Sequence, residues 1–155
     1  MPLQIGAPAP DFELVDHLGR TVRLAELLAG KPVVLVFFPL AFSRTCQGEL
    51  NALRDELAMF DDAGVQLVGI SVDSKFALRA WAEEQGYEFP LLADFWPHGE
   101  VARTYDAFGE DRGYAARATF VIDEAGVVRA AFETGPGEPR SIEQYRTALE
   151  LLRAG

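Results

Sequence analysis

The chain has 155 residues, about half of them apolar, and a formal charge of -10 at pH 7. That length suits one domain with a real hydrophobic core, expected to span residues 1–155. The acidic excess argues against a nucleic-acid partner, which needs clustered Lys and Arg facing phosphates.

The longest apolar run, 32–42, falls well short of the roughly 20 residues that cross a bilayer. The opening MPLQIGAPAP lacks a basic segment followed by an apolar stretch, so an unprocessed cytoplasmic protein with no membrane partner is expected. Residues 11–24, DFELVDHLGRTVRL, predict a hairpin in which Phe12, Leu14, Val22 and Leu24 alternate around a turn at 16–19. His17, in that turn, reads as solvated. PVVLVFF (32–38) and VQLVGISV (65–72) are continuous β-branched and apolar runs, the pattern of strands buried on both faces. Between them Leu50, Leu53, Leu57 and Phe60 recur at helical spacing. Ser74 is a good N-cap for a helix running to about Gln85, with Gly86 as its stop. FPLLAD (89–94) predicts a short strand, 99–108 a short helix, 118–133 a hairpin turning at 124–126, and Ser141 the cap of a closing helix through Leu152. This order implies an α/β fold, a mixed sheet covered by helices on both faces.

Cys46 is the sole cysteine, so no internal disulfide can form, and two well-separated histidines give no zinc-ligand spacing. Spacings of four, three and four place Cys46, Leu50, Leu53 and Leu57 on one helix face, so the thiol points inward in the first turn. There the unpaired backbone N–H groups and the positive end of the helix dipole favour a negative group. The alternative is an inert, buried small residue, because free Cys is among the most buried types. LLAGKPV lacks the residues of a phosphate loop, and GPGEP (135–139) is a turn without a strand-then-helix context. No metal, nucleotide or other cofactor is called for.

Pro39, Ser43 and Cys46 fit the pattern P-x-x-x-T/S-x-x-C, extended by Glu49 as C-x-x-E. This resembles the active-site motif of the peroxiredoxins. VVLVFFPLAF, CQGEL and FPLLADFWPHG (89–99) are similar to the one-cysteine AhpE-type members, and the similarity runs over almost the whole chain. Ser43 stands where many members have Thr, and Ser43-Arg44-Thr45 makes the loop more polar and cationic than is common.

The resemblance implies a thioredoxin fold with an N-terminal β-hairpin extension and a thiol-dependent peroxidase. Cys46 is then the nucleophile toward hydrogen peroxide, organic hydroperoxides or peroxynitrite, and Ser43 a hydroxyl donor to the peroxide. Arg117, before a late strand, is the cation beside the sulfur, although a lone Arg there can equally be a surface residue. Glu49 pairs with and orients Arg117, and Pro39 shields the sulfur. It further implies a homodimer packed near the site and an external thiol reductant, mycothiol with a glutaredoxin-like or thioredoxin-like protein. Trp96, Pro97 and His98 fit pocket lining, a dimer contact or plain core equally well. Two other classes stay open: a thiol sensor or relay that forms mixed disulfides with a partner, and a structural protein with an inert cysteine.

Overall fold

The computed structural model describes residues 3–154. The two β-branched runs form the centre of the sheet, as β3 (Val33–Phe37) and β4 (Gln66–Ser71), paired in parallel. Strand β5 (Leu91–Ala93) extends the parallel set. The N-terminal hairpin, β1 (Glu13–Asp16) and β2 (Thr21–Arg23), joins it antiparallel with Leu14 opposite Val22. On the other flank β8 (Arg117–Ile122) runs antiparallel to β3, and β9 (Val128–Thr134) closes the sheet. The order is β2-β1-β5-β4-β3-β8-β9. A two-stranded ribbon, β6 (Phe108–Gly109) with β7 (Tyr114–Ala115), stands apart from it.

Alternation along β3 divides the core between the two faces. Val34, Val36 and Phe38 pack with Cys46, Leu50, Leu53, Phe60, Trp81 and Tyr145, beneath α2 (Arg44–Asp55), α3 (Leu57–Asp62), α4 (Lys75–Gln85) and α6 (Ile142–Ala154). Val33, Leu35 and Phe37 pack with Leu24, Val101, Tyr105 and Phe120, under α1 (Leu24–Leu28) and α5 (Glu100–Thr104). Each such fully buried side chain contributes about 1.5–3 kcal/mol. The fold is therefore the expected α/β, thioredoxin-like arrangement with an N-terminal hairpin.

Several local expectations hold in detail. Ser74 Oγ accepts the N–H of Ala77, and Gly86 ends α4 in the left-handed region at φ +73°. Others need correction. The helix expected through Phe60 breaks at Glu56, so Leu57 and Phe60 belong to α3. No Gly or Pro marks that break, which turns Phe60 into the core, its ring centre 5.9 Å from that of Tyr145. The helix expected over 99–108 ends at Thr104, because Asp106 adopts φ +54°, a conformation that Asp tolerates better than most residues. Leu24 opens α1 instead of extending the hairpin. His17 is half-buried, and its Nδ1 accepts the Leu91 N–H at 3.2 Å. Burial pushes its pKa below the usual 6.5.

Candidate active site

Strand β3 delivers the chain to the site. After Phe38 it turns through Pro39–Phe42 into Ser43, which caps α2 with extended backbone (φ -75°, ψ 146°). Cys46 follows in the first turn, fully buried, on the inward face that its spacing from Leu50 and Leu53 predicts. The first N–H groups of a helix have no partner within it, and Cys46 belongs to that first turn.

Because β8 pairs antiparallel with β3, its first residue sits at the same end of the sheet. Arg117 Nη1 donates to Cys46 Sγ at 3.4 Å and to Glu49 Oε1 at 2.6 Å, and the arginine is 6% exposed. A surface role for Arg117 is thereby excluded. Its Nε is buried without a hydrogen-bond partner among the described residues.

The sequence reading missed Arg140, which follows the 135–139 turn. Its backbone N–H and Nε donate to Glu49 Oε2 at 2.7 and 2.8 Å, and Nη2 donates to Oε1 at 3.1 Å. Nη1 reaches Thr119 Oγ1, itself 3.1 Å from Tyr145 OH. Two buried guanidiniums thus face one carboxylate, beside the sulfur.

Burial alone would push the Glu49 carboxyl up, but hydrogen bonds and charge from Arg140, and then the charge of Arg117, outweigh it and hold the group below its usual 4.5. The sign follows from linkage: the folded protein releases the proton more readily than the unfolded chain. The stabilisation is complete above about pH 4.5 and is lost as pH falls through the folded-state value. Glu49→Gln is expected to cost about 3 kcal/mol at neutral pH, since two buried cations lose their counter-charge. It should also flatten the acid limb of stability, and urea titrations of both proteins between pH 3 and 7 check this.

Asp73, in the β4–α4 loop, is a second residue the sequence reading missed. Its Oδ2 accepts the Ala41 N–H at 2.7 Å and the Ser71 hydroxyl at 2.6 Å, pinning the turn before the cysteine. Phe42 in that turn has φ +67°, and its ring centre lies 6.1 Å from that of Trp81. A bulky residue there stores about 1–3 kcal/mol of backbone strain.

Ser43 does not present a free hydroxyl. Its Oγ donates to the Leu40 carbonyl at 2.8 Å. Pro39, Ser43 and Arg117 border a pocket of about 350 Å³, whose walls include Tyr114, Ala116 and the 133–137 segment. Trp96 is 81% exposed, which rules out the core reading, and His98 lies on the surface against Gly113.

A buried cysteine at a helix N-terminus, held by an arginine inside a thioredoxin-like sheet, defines a thiol-dependent oxidoreductase. The sequence model of the AhpC/TSA family matches residues 5–131. Alkyl hydroperoxide reductase E of Mycobacterium tuberculosis is 45% identical over 152 residues, covering 98% of this chain and 99% of the relative. Peroxiredoxin-2 of Bos taurus is 36% identical over 97% of this chain and 77% of its own length. The crystal structure of peroxidoxin BcpB from Mycobacterium tuberculosis is similar at TM-score 0.85 and 33% identity, covering 98% of this chain and 97% of that one. AhpC of Enterococcus faecalis gives 0.86 and 30%, over 99% and 94%. The chain belongs to the AhpC/TSA family, the peroxiredoxins, and with one cysteine it is of the one-cysteine AhpE type. It is a thiol-dependent peroxidase, with hydroperoxides as substrates and a thiol as reductant. Among the described residues no helix is long and apolar enough to cross a membrane.

Proposed function

We propose that the chain works as one thioredoxin-like domain in which Cys46 is the peroxidatic residue. The observation that carries this reading is Arg117 Nη1 standing 3.4 Å from the sulfur while Glu49 fixes its orientation. The thiolate attacks the terminal peroxide oxygen, the O–O bond breaks, and a sulfenic acid and an alkoxide or hydroxide result. The alkoxide or hydroxide takes a proton from water. Arg117 stabilises both the thiolate and the charge growing on the departing oxygen. Ser43 donates to that oxygen once its hydroxyl turns away from Leu40, and Pro39 keeps bulk water from the sulfur. An external thiol, mycothiol with a glutaredoxin-like or thioredoxin-like protein, then returns Cys46 to the thiol. A single unpaired cysteine suits a reducing compartment, which supports a cytoplasmic location.

One equivalent of peroxide without thiol should add one oxygen to the intact mass, trappable by a sulfenic-acid reagent, and excess should add a second and end activity. With a thiol present, peroxide consumption should continue over many turnovers. A protein that reacts once and stops is a sensor, and the peroxidase cycle would then be wrong.

We also propose a homodimer through the loops beside the site. Phe42, Phe76, Phe95 and Trp96 are 48%, 74%, 53% and 81% exposed on loops and a helix start that follow β3, β4 and β5. Large exposed aromatic groups of this kind mark association surfaces. Trp96→Glu is expected to shift the protein to monomer in sedimentation velocity. An unchanged sedimentation coefficient would remove this face as the contact.

A further inference from the structure

The tip of the β6–β7 ribbon is fastened by contacts that do not involve the thiol site. His98 Nε2 donates to the Gly113 carbonyl at 2.7 Å, and its ring meets Phe108 edge-on at 5.9 Å between centres. Arg103 donates to the His98 carbonyl and, through Nε, to Glu110 Oε1 at 2.8 Å. Its guanidinium lies 4.0 Å from the centre of the Phe108 ring. Gly99, in the left-handed region at φ +70°, makes room for that ring, since a Cβ there would stand 2.3 Å from Phe108 Cε1.

The base of the ribbon is held separately. Phe108 pairs with Ala115, and the Ala116 N–H donates to the Ala107 carbonyl at 2.8 Å. Arg117 follows directly and is tied to Glu49. Loosening the tip therefore leaves the sulfur, Arg117 and Glu49 in place. What the tip controls lies further out, where Gly109, Asp111, Arg112 and Tyr114 contribute to the lining of the pocket that Leu40 and the 133–137 segment also line. Hydrogen peroxide needs only the end of that pocket where Pro39, Ser43 and Arg117 stand. The organic half of an alkyl hydroperoxide has to lie along its walls.

We propose that His98 is a specificity-determining positioning residue: by holding Gly113 it keeps the β6–β7 wall in place, and so favours hydroperoxides with a bulky apolar substituent relative to hydrogen peroxide. The proposal rests on reading this pocket as the substrate entrance. A wall already in place does not have to be ordered when substrate arrives, so its benefit falls only to substrates that touch it.

The test compares second-order rate constants of reduced wild type, His98→Ala and His98→Gln with hydrogen peroxide and with cumene hydroperoxide. His98→Ala should react about threefold to tenfold more slowly with cumene hydroperoxide, the range set by one net hydrogen bond, and within about twofold of wild type with hydrogen peroxide. His98→Gln, whose amide N–H can reach the same carbonyl, should recover most of the loss, which a general structural defect would not allow. Arg103→Met, removing the other half of the clamp, should lower the same ratio and serves where His98→Ala fails to fold. Equal slowing with both peroxides, no change with either, or faster reaction with cumene hydroperoxide overturns the proposal. If the wild type reacts with hydrogen peroxide but shows no saturable or enhanced reaction with the larger substrate, the pocket reading itself fails, and the proposal with it.

Discussion

Cys46→Ser eliminates peroxide consumption while leaving the fold nearly unchanged. The swap is close to isosteric at a site that is fully buried and packed against Leu50 and Leu53. Serine keeps the volume but, unlike a thiol, is not ionised near neutral pH and so supplies no comparable nucleophile. No second cysteine exists to take over. The loss should reach the rate of the uncatalysed reaction, with the circular dichroism spectrum preserved. Appreciable turnover by the folded variant would remove Cys46 from the mechanism.

Arg117→Ala is expected to slow the reaction with peroxide by about 10²–10³-fold, the loss typical of one preorganised group aimed at developing charge. Arg117 stands beside the sulfur, and in the proposed mechanism it also meets the leaving oxygen, so the deficit should persist at alkaline pH. Stopped-flow rates across the pH range decide the matter. Full recovery at high pH would mean that the guanidinium only assists ionisation. Arg117→Lys should restore part of the rate, since an ammonium supplies charge without the planar guanidinium whose Nη1 reaches both Glu49 and sulfur.

The central strands, the capped helix after Ser74 and the inward face of Cys46 were legible because each follows from local pattern: β-branched runs, an N-cap with a Gly stop, and helical spacing. The Glu49–Arg117 pair was legible through the family motif, and the two groups do meet, at 2.6 Å. Arg140 was not, because its partner lies 91 residues away and nothing in a charged residue after a turn shows that it folds inward. Asp73 was hidden for the same reason, its contact with Ala41 being a loop-to-loop bond between segments 32 residues apart. His17 and Trp96 show the limit from the other direction. A polar ring in a turn became an acceptor for a strand N–H, and an apolar ring in a loop stayed outside, since residue type alone does not say what the rest of the chain will cover.

Cys46 is fully buried, so whatever reacts with it has first to reach it. On the proposed cycle that holds for the peroxide and again for the returning thiol, the broader of the two when a protein carries it. Oxidation and repair are then expected to differ in how strongly they depend on the turn through residues 39–43. That turn is held by the Asp73–Ala41 bond and the Phe42–Trp81 contact, and Phe42 within it carries a left-handed backbone. A substitution that stiffens this turn is expected to slow repair more than oxidation, so that oxidised enzyme accumulates even where reductant is plentiful.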